Sequence, residues 1–313
     1  MASVKPALDR AAILDLLQET FAEPIRELAP VQGGVVAQTL SFVVGDEEYI
    51  LRFVTDSIDV SYQKEAFIYH HFASPSIPIP PILQVGHKGE TYYAISKKLP
   101  GRGLESLSQA EYEQALPDII ETLYAIHLVD VSEWHGYGWL DDHGTGMFAS
   151  WKEFLARIIE EERPDGFYGK WHRMFEDTFL ERDFCDAVYA HMLRLLDVCP
   201  EERHLVHGGY GWNNVLVQDG EVTAVLDWVD TSYGDFVYDI AWIDFWSRGI
   251  NHAGRFHQYY AEHGLPLEHY EHRIACYKCY MGLDAMRFYA KTGDREAYQA
   301  TRRILQNLLT VAN

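Results

Sequence analysis

Residues 204–228 read HLVHGGYGWNNVLVQDGEVTAVLDW, and this stretch decides the fold of the chain. Two short β-rich runs flank the turn at 218–221, which is the pattern of a tight hairpin. His207 precedes the first run, Asn214 stands directly before it, and Asp227 directly follows the second run. If the two runs pair as antiparallel strands, Asn214 and Asp227 lie at the same end of the hairpin.

Asn214 and Asp227 form a candidate metal site, because they would present one amide oxygen and one carboxylate side by side. Mg²⁺ takes oxygen ligands and keeps several of its waters, so a pair of this kind suits it. The alternative is that both residues only cap the ends of strands. The loop that precedes Asn214 favours the metal, and the sequence predicts that both residues bind Mg²⁺.

Length and composition restrict the class of protein. With 313 residues, of which 48% are hydrophobic, the chain can build a core in two domains or in one two-lobed domain. The N-terminus lacks the apolar run of a signal peptide, and no apolar stretch is long enough to span a membrane. We therefore expect a folded protein that has no membrane partner.

The net charge of −21 argues against nucleic acid as a partner, because phosphate backbones require a positive surface. The charge is uneven: residues 1–98 contain 8 Lys and Arg against 12 Asp and Glu, and residues 99–313 contain 18 against 35. An acidic C-terminal half can attract a cationic ligand. On composition alone, an acidic surface that serves only solubility is the alternative.

The four cysteines are too few for a disulfide framework in a chain of this length. Cys276 and Cys279 form a C-x-x-C pattern, but it lies in a helical run and lacks a second pair of ligands at metal spacing. We expect buried thiols and a location in the reducing cytoplasm.

Residues 1–98 have the pattern of a small antiparallel sheet with helices. The apolar residues of 8–22 and 61–72 recur at helical spacing. Strand-like runs occupy 25–31, 35–44, 49–54, 82–86 and 91–96. The segment LPGRG at 99–103 breaks the pattern, so we place a boundary between two lobes after residue 98.

Residues 99–313 have a mostly helical pattern. The helical runs are about 108–127, 150–162, 175–197, 236–248, 254–263, 267–290 and 294–311. We expect the stretch at 204–228 to be the only clear β-structure in this half. A β-rich small lobe, a hinge and a helical large lobe with one hairpin give an α+β chain with the outline of a two-lobed, protein-kinase-like fold.

Short segments along nearly the whole chain resemble the aminoglycoside phosphotransferase family, and its hygromycin branch in particular. They are collinear with that family: YHHFAS at 69–74, IPIP at 77–80, SWKEF at 150–154, HLVH at 204–207, GWNNVL at 211–216, TAVLDW at 223–228 and GLD at 282–284. The loop and the Asp227 motif are specific to kinase-like phosphotransferases. The resemblance implies a nucleotide site in the small lobe and a site for a polycationic sugar in an acidic cleft of the large lobe.

The resemblance also assigns residues to the nucleotide, which we expect to be ATP, with GTP as the alternative. Arg52 stands where most of the family has a phosphate-binding Lys, and Glu65 would be its ion-pair partner. Backbone groups from Ser96 to Lys98 would face the adenine. On the substrate side, the candidate partners of ammonium groups and the aromatic residues that would stack on sugar rings are Asp230, Asp284, Asp141, Asp142, Trp246 and Tyr280.

Two residues are expected to hold the loop itself. In kinase-like loops the residue at His207 is structural and forms hydrogen bonds that keep the loop in place, and we prefer this role to that of a general base. Asp235 sits at a position typical of a helix N-cap. In kinase-like folds such a carboxylate also accepts bonds from the loop backbone, and both roles are compatible.

The loop departs from the family at one position. The family pattern is His-Gly-Asp-x-x-x-x-Asn, or His-Ala-Asp in the hygromycin branch, and this chain has Gly209 in place of the Asp. In the family, the carboxylate of this Asp orients the acceptor hydroxyl and accepts its proton. A positioned general base contributes about 10²–10⁴ in rate, although phosphoryl transfer tolerates its loss better than most reactions do. We expect binding to persist and turnover to be weak.

The sequence therefore predicts an ATP- and Mg²⁺-dependent O-phosphotransferase that acts on an aminoglycoside of the hygromycin B type, as a monomer or weak dimer. Two alternatives stay open. A kinase-like protein without catalysis would bind a cationic ligand, and Gly209 is the feature that supports it. A kinase of another small alcohol would keep the fold, but the acidity of the large lobe favours a cationic substrate.

Overall fold

The computed structural model describes residues 9–31, 37–55, 61–161, 166–247 and 249–311. Its helices are α1 (Arg10–Thr20), α2 (Tyr62–Phe72), α3 (Gln109–His127), α4 (Trp151–Ala156), α5 (Met174–Asp177), α6 (Arg182–Leu196), α7 (Val237–Trp246), α8 (His252–His263), α9 (Tyr270–Thr292) and α10 (Arg295–Val311). Its strands are β1 (Arg26–Pro30), β2 (Gln38–Val44), β3 (Glu47–Thr55), β4 (Ile82–Lys88), β5 (Thr91–Lys97), β6 (Arg102–Gly103), β7 (Tyr137–Leu140), β8 (Gly146–Phe148), β9 (His204–Val206), β10 (Val215–Gln218), β11 (Glu221–Val225) and β12 (Ser232–Gly234). Some residues of one predicted strand and three predicted helices lie outside the described residues: 8, 35, 36, 162 and 248.

The described residues before position 99 contain a five-stranded antiparallel sheet in the order β1-β2-β3-β5-β4. Successive side chains of a strand point to opposite faces, and in β2 this buries Leu40, Phe42 and Val44 on one face. Helix α1 covers that face with its own apolar residues and closes a small core. The predicted strands and the first helix are confirmed within the described residues.

Helix α2 connects the two halves of the molecule. It begins after Ser61, whose hydroxyl accepts a hydrogen bond from the first turn. Its buried Ile68 and Phe72 pack into the core of the large half, together with Ile77 and Ile79 of the proline-rich connector. The small sheet thus has its own core, while α2 packs with the helical half. The lobe boundary after residue 98 stays a prediction.

The large half is built around α9, which packs against α6, α7 and α10. Two predicted helices are shorter than expected. The run at 150–162 forms α4 and then a 3-10 turn at Arg157–Ile159. The run at 175–197 is divided into α5 and α6, because the hydroxyl of Thr178 bonds to Met174 O at 2.6 Å and accepts the N–H of Leu180 at 3.1 Å. The four cysteines are free and buried, as predicted.

The central hairpin is formed by β10 and β11 as predicted, and Val215 pairs with Val225 after a shift of register between Leu216 and Val217. Its turn has φ of 55° at Asp219 and 91° at Gly220, which is typical of a type I′ turn. The prediction that this half has no other β-structure was wrong. Strand β6 pairs with β10, and a second sheet has the order β8-β7-β12-β9. These additional strands are two to four residues long and pair with distant segments, so no local alternation reveals them.

Among the described residues, no helix combines the length and the apolar character that crossing a membrane requires.

Candidate active site

A buried carboxylate supports the loop that begins at His207. Asp239, in the first turn of α7, accepts hydrogen bonds from the N–H groups of His207 (2.7 Å) and Gly208 (2.8 Å). Its Oδ2 also lies 3.1 Å from Nε2 of the buried His127. The first turn of a helix is a favourable position for a carboxylate, because free N–H groups point out of the helix there. Both oxygens of Asp239 are therefore used to fix the backbone of the loop.

The predicted bond between Asp235 and the loop was wrong. Asp235 does cap α7, since it accepts the N–H of Val237 at 3.0 Å. Its remaining contacts are an ion pair with Arg273 (Nε to Oδ2, 2.8 Å) and a hydrogen bond from the hydroxyl of Tyr277. The sequence contains two Asp residues four positions apart, and only the packing of α7 decides that Asp239 is the one that faces the loop.

His207 is fully buried, and both of its ring nitrogens have partners. Nε2 lies 2.9 Å from Leu226 O, and Nδ1 accepts the N–H of Gly209 at 3.1 Å, so the ring carries its proton on Nε2. Burial lowers the pKa of His207, and the carboxylate of Asp239 only partly opposes this. His207 is thus a neutral residue that ties the loop to the end of the hairpin, and its ring offers no free nitrogen to a substrate.

Asn214 and Asp227 lie at the same end of the hairpin, where the N–H of Leu226 donates to Asn214 O at 2.7 Å. The side-chain Nδ2 of Asn214 donates to Gly209 O at 3.0 Å, which turns Oδ1 away as a free oxygen. Asp227 has a φ of +60°, a left-handed conformation that Asp adopts more readily than most residues. The register of the hairpin therefore places two oxygen atoms that can bind a metal ion at one edge of the loop.

This pair of donors fits Mg²⁺. Burial raises the pKa of Asp227, Glu65 raises it further and Arg52 opposes the rise, so a bound cation would relieve an unfavourable charge. Among the described residues, no group of three or more His, Cys, Asp or Glu side chains is arranged to hold a metal. Mg²⁺ needs no such cage, because it keeps waters and uses phosphate oxygens as ligands.

The ion pair expected between Arg52 and Glu65 is present. Arg52 on β3 contacts both carboxylate oxygens of Glu65 on α2, with Nη1 to Oε1 at 3.1 Å, and its guanidinium lies 5.0 Å from the ring centre of Tyr62. Burial disfavours the charge of Arg52, but Glu65 outweighs this and the pKa of Arg52 is raised. Glu65 is 6% exposed and Arg52 22%, so the pair is sheltered and its cationic side still opens to solvent.

The segment from Ser96 to Lys98 has little hydrogen-bonding capacity left for a ligand. Ser96 is buried within β5, and the N–H groups of Lys97 and Lys98 donate to Pro81 O and Glu48 O, each at 2.9 Å. The ammonium group of Lys98 pairs with the carboxylate of Glu48 on the surface. A contact between this segment and adenine stays a prediction, and these two N–H groups are already occupied.

Gly209 does not need to be glycine for backbone reasons. Its φ lies outside the left-handed range, and the nearest atoms to a Cβ there would be Asn214 Nδ2 at 3.3 Å, which would have to shift by a few tenths of an ångström, and the ring of His207 at 3.8 Å. Gly208 is the opposite case, with a φ of +84° and Asp230 O only 2.5 Å from the position of a Cβ. The backbone therefore requires glycine at 208 and permits a carboxylate at 209.

Two of the predicted substrate carboxylates, Asp230 and Asp284, lie within electrostatic range of each other. Desolvation raises the pKa of Asp230 to about 6, with contributions from Asp227 and Asp284 and an opposing one from Lys64. The side chain of Asp230 is nevertheless exposed to solvent. Asp284, on α9, forms an ion pair with Arg287 at 2.7 Å.

Asp141 and Asp142 lie in a turn that packs on α2. Oδ1 of Asp141 accepts the N–H groups of His143 and Thr145, each at 2.9 Å, so half of this carboxylate holds the turn itself. Asp142 is exposed. Sequence reasoning missed Lys64, which is 8% exposed on α2; burial lowers its pKa, and the nearby carboxylates of Asp230, Asp142 and Asp141 oppose this. The helical pattern gave no signal for Lys64, because it does not share the side of Tyr62, Ala66 and Tyr69.

The two predicted stacking residues lie in different places. Trp246 borders a cavity of about 240 Å³ beside the loop, which Gly209, Trp212 and Trp242 also line. Tyr280 is buried and packs with its ring 6.0 Å from that of Tyr238. Sequence reasoning missed Trp212 and Trp242. The spacing of Trp242 and Trp246, one turn apart on α7, was the signal that could have found one of them.

Taken together, the neutral His207, the two oxygen donors and the sheltered Arg52–Glu65 pair define a kinase-like phosphotransfer site in a two-lobed α+β fold. The chain belongs to the phosphotransferase enzyme family (APH), whose model matches residues 27–273. The family and the protein-kinase-like fold inferred from the sequence are confirmed.

Relatives of known structure and activity indicate which branch of the family this chain resembles. The chain is 32% identical over 283 residues to hygromycin-B 4-O-kinase of Escherichia coli, a match that covers 90% of this chain and 80% of that protein. It is also similar to a thermostable mutant of aminoglycoside phosphotransferase APH(4)-Ia in a ternary complex with AMP-PNP and hygromycin B, with 27% identity, a TM-score of 0.81 and coverage of 95% and 98% of the two chains. A complex of that enzyme with ADP and hygromycin B gives a TM-score of 0.80 at the same identity and coverage.

Proposed function

We propose that this protein transfers the γ-phosphate of ATP to a hydroxyl group of an aminoglycoside of the hygromycin B type and thereby gives resistance to it. The observation that carries the proposal is the geometry at the end of the hairpin, where Asn214 and Asp227 meet the loop that His207 fixes. The named relatives act on or bind hygromycin B, which supports this choice of substrate. We propose the cytoplasm as the location and a monomer or weak dimer as the working form.

On the nucleotide side, the small lobe supplies a fixed cation. Arg52 is held by Glu65 and Tyr62, so it can contact phosphate oxygens without first losing side-chain freedom. Asn214 and Asp227 would hold Mg²⁺, which when bound neutralises charge on the phosphate oxygens. ATP is the proposed nucleotide because the related structures contain AMP-PNP or ADP, and GTP is the alternative to test.

On the acceptor side, the acidic residues and the aromatic residues occupy different places. Asp230 and Asp284, with Asp142 across the cleft, can attract the ammonium groups of the sugar. The cavity beside Gly209, lined by Trp246 and Trp242, can receive the uncharged face of a ring. An acceptor held by both surfaces would place a hydroxyl near the loop.

The proposal is tested with purified protein, Mg²⁺, ATP or GTP, and a panel of aminoglycosides that includes hygromycin B and streptomycin. Mass spectrometry should detect monophosphorylated hygromycin B, formed slowly by the parent protein and faster by Gly209→Asp, and a chelator should stop both reactions. Cells that express Gly209→Asp should survive a higher concentration of hygromycin B than cells that express the parent protein. The proposal is wrong if neither folded protein phosphorylates any member of the panel with either nucleotide.

Gly209 itself favours one second candidate, a binding protein without catalysis. Such a protein would keep the acidic cleft and would have no need of the nucleotide side. Titration calorimetry separates the two: the phosphotransferase binds both Mg²⁺–ATP and hygromycin B, whereas the binding protein takes up hygromycin B alone. The sheltered Arg52–Glu65 pair supports the enzyme.

A further inference from the structure

A second aspartate packs on the loop beside Gly209. A Cβ built on Gly208 would lie 2.5 Å from Asp230 O and 2.9 Å from Asp230 Cβ. Asp230 is thus in contact with the residue next to the position where the family carries its Asp. Its side chain is exposed, and its carboxylate lies within electrostatic range of Asp227.

Most other carboxylates around the loop and cleft are already engaged. Within the described residues, those with hydrogen bonds or ion pairs are Glu65, Asp141, Asp235, Asp239, Asp244 and Asp284. Asp142 has no such partner among the described residues, and it belongs to the turn whose Gly144 packs on Phe67 of α2. The carboxylate of Asp230 forms no hydrogen bond or ion pair with a described residue, and it borders the loop.

The surroundings of Asp230 suit a proton acceptor. Asp227 precedes it in the same segment, Asp284 faces it from α9 and Lys64 faces it from α2. Desolvation and the two neighbouring carboxylates raise its pKa to about 6, which is nearer to neutrality than an ordinary Asp. Lys64 limits this rise, so the group is still ionised at neutral pH and able to accept a proton.

We propose that Asp230 accepts the proton of the acceptor hydroxyl in this protein, in place of the carboxylate that is missing at position 209. The inference rests on the proposed function. In the transfer step, a bond forms between the acceptor oxygen and the γ-phosphorus of ATP, and the bond from that phosphorus to the β,γ-bridging oxygen breaks. ADP leaves with the electron pair, and the hydroxyl proton passes to Asp230 and then to water.

A double-mutant cycle tests this role against the simpler role of Asp230 as an ammonium partner. The four proteins are the parent, Asp230→Asn, Gly209→Asp and the double variant, each assayed for kcat and KM with hygromycin B. If Asp230 replaces the missing Asp as the proton acceptor, Asp230→Asn should lower kcat about tenfold in the parent protein. In the Gly209→Asp background, where the usual carboxylate is restored, the same change should alter kcat by less than about threefold.

Asp284→Asn is the matched control, because it removes a charge from the same acidic surface without contact to the loop. It should raise KM by the same factor in both backgrounds. The inference is overturned if Asp230→Asn changes kcat equally in both backgrounds, or if it changes only KM. Thermal melting checks that the variants are folded, which we expect because the Asp230 carboxylate has no partner to lose. Absence of phosphotransfer in all four proteins would instead refute the proposed function.

Discussion

Two aspartates contact the same loop, but they differ in burial and in hydrogen bonding. Asp239 is fully buried, and its oxygens accept two backbone N–H groups and contact His127. Asp230 packs against Gly208 of that loop, opens to solvent and has no hydrogen-bond partner among the described residues. The comparison separates two tasks: Asp239 fixes the loop, while Asp230 keeps a free carboxylate for whatever enters the cleft.

The contrast extends to the layers on either side of the loop. Beneath it, His127 also contacts the hydroxyl of Tyr260 at 2.8 Å, and Asp235 binds Arg273 and Tyr277. Above it, on the cleft side, Asp227 and Asp230 both have raised pKa values. Polar groups that are fully paired stabilise a fold, and unpaired ones are expected where a ligand will pair with them.

Removing the carboxylate of Asp239 should have the largest effect on stability. In Asp239→Asn, one oxygen is replaced by an NH₂ group that faces a backbone N–H, so at least one buried donor loses its acceptor. We expect the free energy of unfolding to fall by about 3–5 kcal/mol, measured by urea titration. Asp230→Asn is the matched variant and should not lower it. Equal losses in the two variants would remove the distinction between them.

Asp227→Asn should reduce activity without reducing stability. Asn tolerates the left-handed backbone at 227, but a neutral amide is a poorer ligand for a divalent cation. We expect phosphotransfer to fall by at least about 10²-fold, with an unchanged thermal midpoint in the presence of a chelator. Asp219→Asn, the same change at the far end of the hairpin, should leave the rate unchanged. An active Asp227→Asn protein would exclude the metal site proposed here.

Arg52→Lys should weaken nucleotide binding. The guanidinium forms two bonds to Glu65 and stacks on Tyr62, and an ammonium group reproduces neither the fork nor the stacking. We expect the KM for ATP to rise by about tenfold, which corresponds to about 1.4 kcal/mol. Arg102→Lys, at the exposed pair with Glu111, is the control and should have no effect. An unchanged KM for ATP in Arg52→Lys would place the phosphates elsewhere.

Asp230→Asn should give the smallest effect, a slight gain in stability that depends on pH. The pKa of Asp230 rises from 3.8 to about 6 on folding, so the folded state holds a proton that the unfolded state has released between these values. Stability is therefore lost as the pH rises through this window, and the variant avoids that loss. The thermal midpoint of the variant should exceed that of the parent at pH 7.5 and match it below about pH 4. A lower midpoint at pH 7.5 would show that the carboxylate has stabilising partners.

The sequence predicted the parts of the site that local rules determine. A hairpin with an Asp-Gly turn fixes its own register, so Asn214 and Asp227 could be assigned to one end without knowledge of the rest. The Arg52–Glu65 pair followed from the order of a strand and the next helix. Both inferences depend on residues that are close in sequence or on an order of elements that the resemblance supplied.

The parts of the site that the sequence did not predict depend on packing between distant segments. The choice between Asp235 and Asp239 is made by the position of α7 relative to the loop, and nothing in the two Asp positions encodes it. Lys64 looks like a surface residue of a helix, and only the fold buries it and brings it near Asp230 and Asp142. Strand β12 is recognised only through its pairing with β7 and β9.

The most direct test of the whole account is a comparison of steady-state phosphotransfer from ATP to hygromycin B by the parent and by Gly209→Asp. The backbone at 209 does not require glycine, and a Cβ there needs only a shift of a few tenths of an ångström in the Asn214 amide, so we expect the substitution to restore a general base. We predict that kcat rises by about 10²-fold, while KM for both substrates stays within about threefold. An unchanged kcat in a folded Gly209→Asp protein that binds both substrates would contradict the assignment of this loop as the site of phosphotransfer.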